Sequence, residues 1–357
     1  MTSPHRYPAP ALAAFARDLL RSASMPPEKA AAVADTLLDG DLLGHDTHGL
    51  ALLAPYMDQI AKGFMQVAGE PEVLQDRAAV AVWDGHRLPG PWLMLEALEA
   101  LKPKARRYGT ASLVLRNSHH IACLASYLRK ATEEGFMAFI ASSDPTVRTV
   151  APHGGTRAVF TPNPMAMGLP TSGPPVLVDI SSSITTNSMV RRLDAAGQMF
   201  PEDCLLDAAG APSRDPAVMS AKPPGTLLPL GGISAGHKGY GMALYVEALT
   251  SALGGYGRAD PDLLEGGWCA NVHLQLHDLE AYAGRGEYVR QMDWIVEACR
   301  TNPPQPGVEA VRLPGQRAAE NASSRLRSGV PLRDEVVAAL QHCAAVQRIP
   351  FPGAIER

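Results

Sequence analysis

The chain has 357 residues, 46% of them hydrophobic and 19% charged, a balance that fits a soluble globular protein of enzyme size in one large or two smaller domains. A net charge of −4 without any run of Lys or Arg argues against nucleic-acid or anionic-membrane partners. No apolar run approaches the roughly 20 residues of a membrane span, and Met1 to Arg6 lack the apolar core of a secretion signal. The five cysteines (Cys123, Cys204, Cys269, Cys299, Cys343) are scattered, with no Cys-x-x-Cys. They read as reduced, mostly buried thiols of a cytoplasmic protein.

In chain order, Leu12, Phe15, Leu19 and Leu20 give helical spacing over 9–22. Pro26 and Pro27 open a second helix that runs out at Gly40 to Gly49, and 50–60 reads as a third. This N-terminal part is Ala-rich, with no strand expected. Residues 78–84 are a short strand candidate. Pro91 starts another helix, which Pro103 should end or bend. The centre changes character. Ala111 to Leu115 is a buried-strand run that stops abruptly in Arg116-Asn117-Ser118-His119-His120, followed by a helix over 121–134, Gly135 as its end, and a second apolar run over 136–141. A polar turn between a strand and a helix is where α/β folds bind ligands, and imidazoles there move protons near neutral pH.

Residues 176–180 form a strand followed by Ser181-Ser182-Ser183, and 194–201 read as a hairpin or exposed loop. A Pro/Gly-rich loop over 220–236 delivers His237-Lys238-Gly239 to a helix at 240–253. Residues 271–278 alternate as a half-buried strand. Residues 286–299 are helical, 301–314 a loop with one short strand candidate, and 334–347 a closing helix. There is no Gly-x-Gly-x-x-Gly after a strand, so the Rossmann fingerprint is absent, and Gly231 to Lys238 misses the P-loop spacing. His273 and His277, four strand residues apart, lie roughly 13 Å from one another, too far to share a metal. His45 and His48 would meet on a helix, but Gly44 and Gly49 point to a loop. No metal is expected.

Five motifs in order carry a resemblance: Asp46-Thr47-His48-Gly49, Asn117-Ser118-His119-His120, Thr161-Pro162-Asn163-Pro164, Val178-Asp179-Ile180-Ser181-Ser182-Ser183 and Gly236-His237-Lys238-Gly239-Tyr240-Gly241. Together, over about residues 10–350, they resemble the malate/L-lactate dehydrogenase family of non-Rossmann NAD(P)-dependent oxidoreductases. This group includes sulfolactate, ureidoglycolate and diketogulonate enzymes and cyclic-imine carboxylate reductases. The resemblance implies a mixed-sheet, non-Rossmann α/β cofactor domain over about 75–313, packed on a helical part built from both termini, 1–74 with 314–357. It implies hydride transfer between NAD or NADP and a small 2-oxo or 2-hydroxy acid, in a homodimer. His120 or His48 would be the general acid/base, with His120 favoured because a strand end aims it. The cofactor would lie against Asp179, Ile180, Ser181, Ser182, Ser183, His237, Lys238, Gly315, Gln316 and Arg317, and the substrate against Thr47 and Asn163. Leu52 stands where the family usually has Arg, the natural partner of a substrate carboxylate, and Leu cannot replace its fork. Two alternatives stay open: a cyclic imine reductase, or a diverged non-catalytic member of the fold.

Overall fold

The computed structural model of the chain describes residues 5–260, 263 and 267–355. The N-terminal segment holds β1 (Arg6–Tyr7), α1 (Ala9–Ser22), α2 (Pro27–Leu43) and α3 (Leu53–Ala61), the last entered through a 3-10 turn at Leu50–Leu52. Next come the hairpin β2 (Glu72–Arg77) and β3 (Val80–Asp84), α4 (Gly90–Tyr108), β4 (Thr110–Ser118), α5 (Leu124–Glu133), β5 (Phe136–Ser143), β6 (Pro164–Leu169) and β7 (Val176–Ser181). After α6 (Asn187–Ala195) and the short β8 (Leu205–Leu206), β9 (Pro212–Ser213) and β10 (Thr226–Leu227) come α7 (Gly232–Glu247), β11 (Ala270–Asp278) and α8 (Arg285–Arg300). The chain closes with α9 (Gln316–Ser328), β12 (Val330–Pro331) and α10 (Asp334–Gln347).

The main sheet has seven strands in the order β2-β3-β4-β11-β5-β6-β7, all antiparallel pairings except β3 with β4. The mixed sheet agrees with the expected fold class. Alternation within the strands separates two faces. Leu113, Leu115, Ile140, Ala166 and Leu274 pack under α4 and α5, whereas Ala141, Met165, Phe139 and Met167 meet Val246 and Leu249 on the other face. A separate core joins both ends of the chain: Leu12, Leu19 and Leu37 with Leu50, Leu53, Tyr56, Ala322, Leu340 and Ala344. The pairing of β1 with β12 closes it.

Several local expectations shift. β11 is nearly fully buried rather than half-buried, because α4 packs on the sheet at this strand and residues 248–252, after α7, pack against it as well. α4 runs through Pro103, because Ala97, Leu98, Leu101 and Ala105 on either side of it all face the core. That burial outweighs the one helix bond a proline removes. α2 passes Gly40 and ends a turn later at Gly44, in the left-handed region at φ 91°. Residues 301–314 carry no strand, and α6 and α9 lie mostly in stretches to which the sequence reading assigns no element. α6 is short and α9 strongly polar, with one buried residue each, Val190 and Ala322, so neither offers a wide apolar stripe to the sequence reader.

The largest correction is α7. It starts at Gly232, so His237 and Lys238 lie inside a helix, not on a loop before one. Of the glycines that suggested a loop, Gly236 and Gly239 serve close packing instead. A Cβ on Gly239 would stand 2.6 Å from the Ser182 carbonyl oxygen and 2.7 Å from that of Leu230. The first turns of α7 therefore lie directly on the serine turn after β7.

Candidate active site

His120 is mounted on the end of β4. The strand leaves the sheet at Asn117, whose φ is 52°. Its backbone N–H donates to Asn271 Oδ1 at 2.9 Å, and its Nδ2 donates to Asp84 Oδ1 at 2.9 Å. Arg116 Nε reaches the other Asp84 oxygen at 2.9 Å, so one buried carboxylate at the end of β3 ties down two residues of the turn. The N-terminus of α4 closes on the turn from below: a Cβ on Gly90 would collide with the carbonyls of His119 and His120. The two histidines then part. His119 is fully buried, edge-on to Tyr56 and beside Trp268, with neither ring nitrogen hydrogen-bonded. His120 is half-buried.

The surroundings of His120 fix its tautomer. Nδ1 accepts the Ala122 backbone N–H at 3.1 Å and lies 2.9 Å from the Tyr56 hydroxyl, which also lies 3.2 Å from the His120 carbonyl oxygen. With Nδ1 an acceptor, the proton of the neutral ring sits on Nε2. Trp268 covers the ring at a centroid distance of 5.3 Å. Burial, and then the nearby His48, push the His120 pKa down to about 3.

His48 is held differently. It lies on the turn between α2 and the 3-10 segment, and its Nδ1 is 2.9 Å from Thr47 Oγ1. The buried Asp41 carboxylate accepts the Leu50 N–H at 2.7 Å, which pins the exit of the turn. Arg325, from α9, donates to the Asp41 carbonyl and to Asp46 Oδ1, the latter at 2.8 Å. Burial raises the Asp41 pKa to about 8 against the opposing Leu50 hydrogen bond. Burial, then the charges of His45 and Arg191, lower that of His48 to about 4. The His48 and His120 rings lie 5.9 Å apart and 22° from parallel. At neutral pH both are therefore uncharged, two nearly parallel imidazoles side by side.

The other predicted residues separate into groups. Thr47 touches His48. Asn163 is fully buried and turned inward, with Nδ2 donating to Ala243 O at 3.2 Å and Glu247 Oε1 at 3.1 Å. It ties the start of β6 to α7, and its Oδ1 has no hydrogen-bond partner among the described residues. The serine hydroxyls bond within their own turn or to Pro162: Ser181 to Ser183 O, Ser182 to Pro162 O, Ser183 to Thr185 O. Ile180 is an apolar side chain left 37% exposed on β7. His237, Lys238 and Arg317 are exposed cationic or titratable groups. Pro314 O accepts the Leu177 N–H at 3.3 Å, and a Cβ on Gly315 would stand 3.0 Å from the Leu177 nitrogen. The start of α9, with Gln316 and Arg317 in its first turn, is thus held against one end of β7 as α7 is against the other. Leu52 packs into the core shared by the termini.

Sequence reasoning missed Tyr56, Trp268, Asp41 and Arg325. Tyr56 stands on the helical stripe that also buries Leu53, a signal that read only as core. The role of Arg325 depends on a contact between distant parts of the chain, which no local pattern carries.

The chain matches the family profile described as malate/L-lactate dehydrogenase over residues 7–341. The L-lactate dehydrogenase of Cupriavidus necator is 30% identical over 312 residues, 86% of this chain and 88% of that protein. The solved structure of a putative malate/lactate dehydrogenase from E. coli superposes with a TM-score of 0.88 at 27% identity, covering 97% of this chain and 96% of that one. The structure of delta1-piperideine-2-carboxylate reductase from Pseudomonas syringae pvar. tomato gives a TM-score of 0.79 at 26% identity, over 95% and 99%. The chain belongs to the malate/L-lactate dehydrogenase family. It is an oxidoreductase acting on CH–OH groups, in a family whose members typically use a nicotinamide cofactor.

Proposed function

We propose that the protein is an NAD- or NADP-dependent dehydrogenase that moves a hydride to or from a small 2-oxo or 2-hydroxy acid, with His48 and His120 serving the substrate oxygen. The observation that carries this reading is the pair of neutral imidazoles 5.9 Å apart. The bound nicotinamide supplies or accepts the hydride. The protein handles the proton, which must reach the oxygen on reduction and leave it on oxidation. His120 offers a fixed Nε2–H and polarises the oxygen as a neutral donor. Losing that proton outright would leave an imidazolate, so the net proton falls to His48. A substrate carboxylate nearby favours the His48 imidazolium and brings its pKa up toward neutrality. This exchanges the leading role that the strand-end argument gave to His120.

The cofactor-holding surface is β7 and its turn from Asp179 through Ser183, His237 and Lys238 on α7, and Gly315, Gln316 and Arg317 at the start of α9. Its apolar Ile180, exposed cations and helix amide ends suit a ring and phosphates respectively. Lys238→Ala is expected to lose about 1.5–3 kcal/mol of nicotinamide affinity, the worth of a charge-assisted contact. Unchanged affinity in a fluorescence titration would remove Lys238 from the site.

With Leu52 packed away in place of a guanidinium, malate and lactate should turn over weakly compared with a bulkier or cyclic substrate. The same residue and the likeness to the piperideine-carboxylate reductase favour a second reading, reduction of a cyclic imino acid. An NADH and NADPH oxidation screen across 2-oxo acids and cyclic imines decides between them. Robust malate turnover at low substrate concentration would sink both the Leu52 argument and the second reading.

A homodimer in the cytoplasm completes the proposal. No residue of α8 is fully buried, and Trp294 is 71% and Ile295 47% exposed. Single-sign evidence of association would be a dimer mass by light scattering that Trp294→Glu lowers to the monomer. No helix among the described residues is long and apolar enough to cross a membrane.

A further inference from the structure

The reading that no metal binds rested on two histidine pairs, His45 with His48 and His273 with His277. The fold groups His45 otherwise. Its imidazole, the Cys123 thiol and the Asp179 carboxylate converge from three elements, with one ligand atom from each lying within 4.8 Å of the others. His45 comes from the turn that also carries His48. Cys123 caps the start of α5 and is 2% exposed. Asp179 comes from β7, pairing across the sheet with Ala166. We propose that His45, Cys123 and Asp179 form a site for a divalent cation of the zinc class, which fastens the His48 turn to α5 and β7.

The donor set carries the choice of metal. One imidazole nitrogen, one thiolate sulfur and one carboxylate oxygen are borderline-soft together and suit zinc over magnesium or calcium, which take oxygen. Three protein ligands leave the fourth tetrahedral position to water. At zinc bond lengths of about 2.0–2.3 Å, tetrahedral ligands stand roughly 3.4–3.6 Å from each other. The trio therefore needs to close by about an ångström, within reach of rotating the half-buried His45 and Asp179 side chains. A thiol and a carboxylate buried side by side repel once both ionise. A divalent cation between them removes that repulsion and takes the thiol proton into solvent as it binds.

The site goes beyond the proposed hydride transfer and does not depend on it, since binding is read with neither cofactor nor substrate present. The Asp179 side chain turns toward Cys123 and His45, which leaves the β7 backbone and Ile180 to the cofactor.

The test uses the untagged full chain, stripped with a chelator and titrated with cobalt(II), then with zinc. The expected result is one equivalent of cobalt with a thiolate-to-metal band in the near ultraviolet and intense tetrahedral visible bands, all displaced by zinc. Cys123→Ser should abolish the ultraviolet band and weaken affinity by more than about 100-fold, beyond what loss of an outer-shell partner costs. His45→Gln, at a partly exposed position that the core does not need, should weaken it comparably, and it keeps the test open if Cys123→Ser does not fold. Zinc should also raise the Tm of the unaltered chain and leave that of His45→Gln where it was. Absence of a thiolate band in the unaltered chain overturns the proposal. So does a band that survives Cys123→Ser, or unaltered affinity in His45→Gln, or a band that disappears in Cys299→Ser or Cys343→Ser.

Discussion

The two histidines at the centre of the site are mounted in opposite ways. His120 hangs from a sheet: β4 aims it, Asp84 and Asn271 hold the turn, Gly90 lets α4 close beneath it, and Tyr56 and Ala122 hold Nδ1. His48 hangs from a turn between helices, held by Asp41 from within and Arg325 from the far end of the chain. The difference suggests a division of labour. A ring with a committed nitrogen is suited to presenting a fixed N–H, and a ring with one light hydroxyl contact is suited to taking up and releasing a proton. It also means that each imidazole is vulnerable through a different part of the molecule.

The largest effect expected is on the rings themselves. His48→Ala and His120→Ala should each lower turnover by about 10²–10⁴, the usual range for general acid/base groups, with nicotinamide affinity retained. His119→Ala, which empties a buried site without a hydrogen-bond partner, should lower stability and leave the rate per folded molecule nearly intact. Thermal melts alongside single-turnover rates separate the two effects. If His119→Ala were the inactive variant instead, the division between the neighbours would be wrong.

Next come the mounts. Arg325→Met removes the clamp on the His48 turn and should reduce kcat by roughly tenfold with little change in KM, the loss of a charged hydrogen bond being worth about 1.5–3 kcal/mol at most. In a His48→Ala background the same change should cost almost nothing more, because a positioning residue has nothing left to position. An equal loss in both backgrounds would show that Arg325 acts on stability alone. Tyr56→Phe should act on His120 by about threefold to tenfold, the scale of one neutral hydrogen bond. Ala122 still donates to Nδ1 there, so the tautomer is kept.

The smallest effect sought is a pH slope in stability. His48 and His120 have folded pKa values lowered by burial to about 4 and about 3, and burial lowers His273 to about 4. Unfolded histidines take up protons below about pH 6.5 while these folded ones stay neutral. Their contribution is therefore complete above pH 6.5 and is lost as pH falls toward the folded values. Asp41 works the other way. Its folded pKa of about 8 lies above the unfolded one, so its contribution is complete at low pH and is lost as pH rises through about 8. Asp41→Asn, whose amide oxygen still accepts the Leu50 N–H, should remove the decline in stability that Asp41 imposes between about pH 4 and pH 8 in a urea-unfolding pH series. An unchanged slope across that window would contradict the raised Asp41 pKa.

The same contrast explains what the sequence displayed. The strand that ends in His119-His120 is a local pattern, an apolar run cut off by polar residues, and β4, β5, β7, β11 and α10 were legible for that reason. α10 agrees at both ends. The start of α7 was not legible, because a glycine needed for contact with Ser182 and Leu230, Gly239, looks like a glycine chosen for a loop. Nor was the burial of Asn163 or the bracing by Arg325, which depend on contacts across the fold. Both motif histidines were found, with Thr47 beside His48, but Tyr56, Asp41 and Arg325 were not, and the relative rank of the two histidines depends on those residues.

The most direct test of the account is a double-variant cycle on the two imidazoles, using the best substrate from the screen. kcat/KM would be measured for the unaltered protein, His48→Ala, His120→Ala and the double variant, with nicotinamide affinity measured on each. If the two rings serve one oxygen, each single change costs about 10²–10⁴ and the double costs little more than the worse single, as groups acting as a unit do. Affinity for the nicotinamide stays the same throughout. Losses that simply multiply, or near-normal turnover in either single variant, would contradict it.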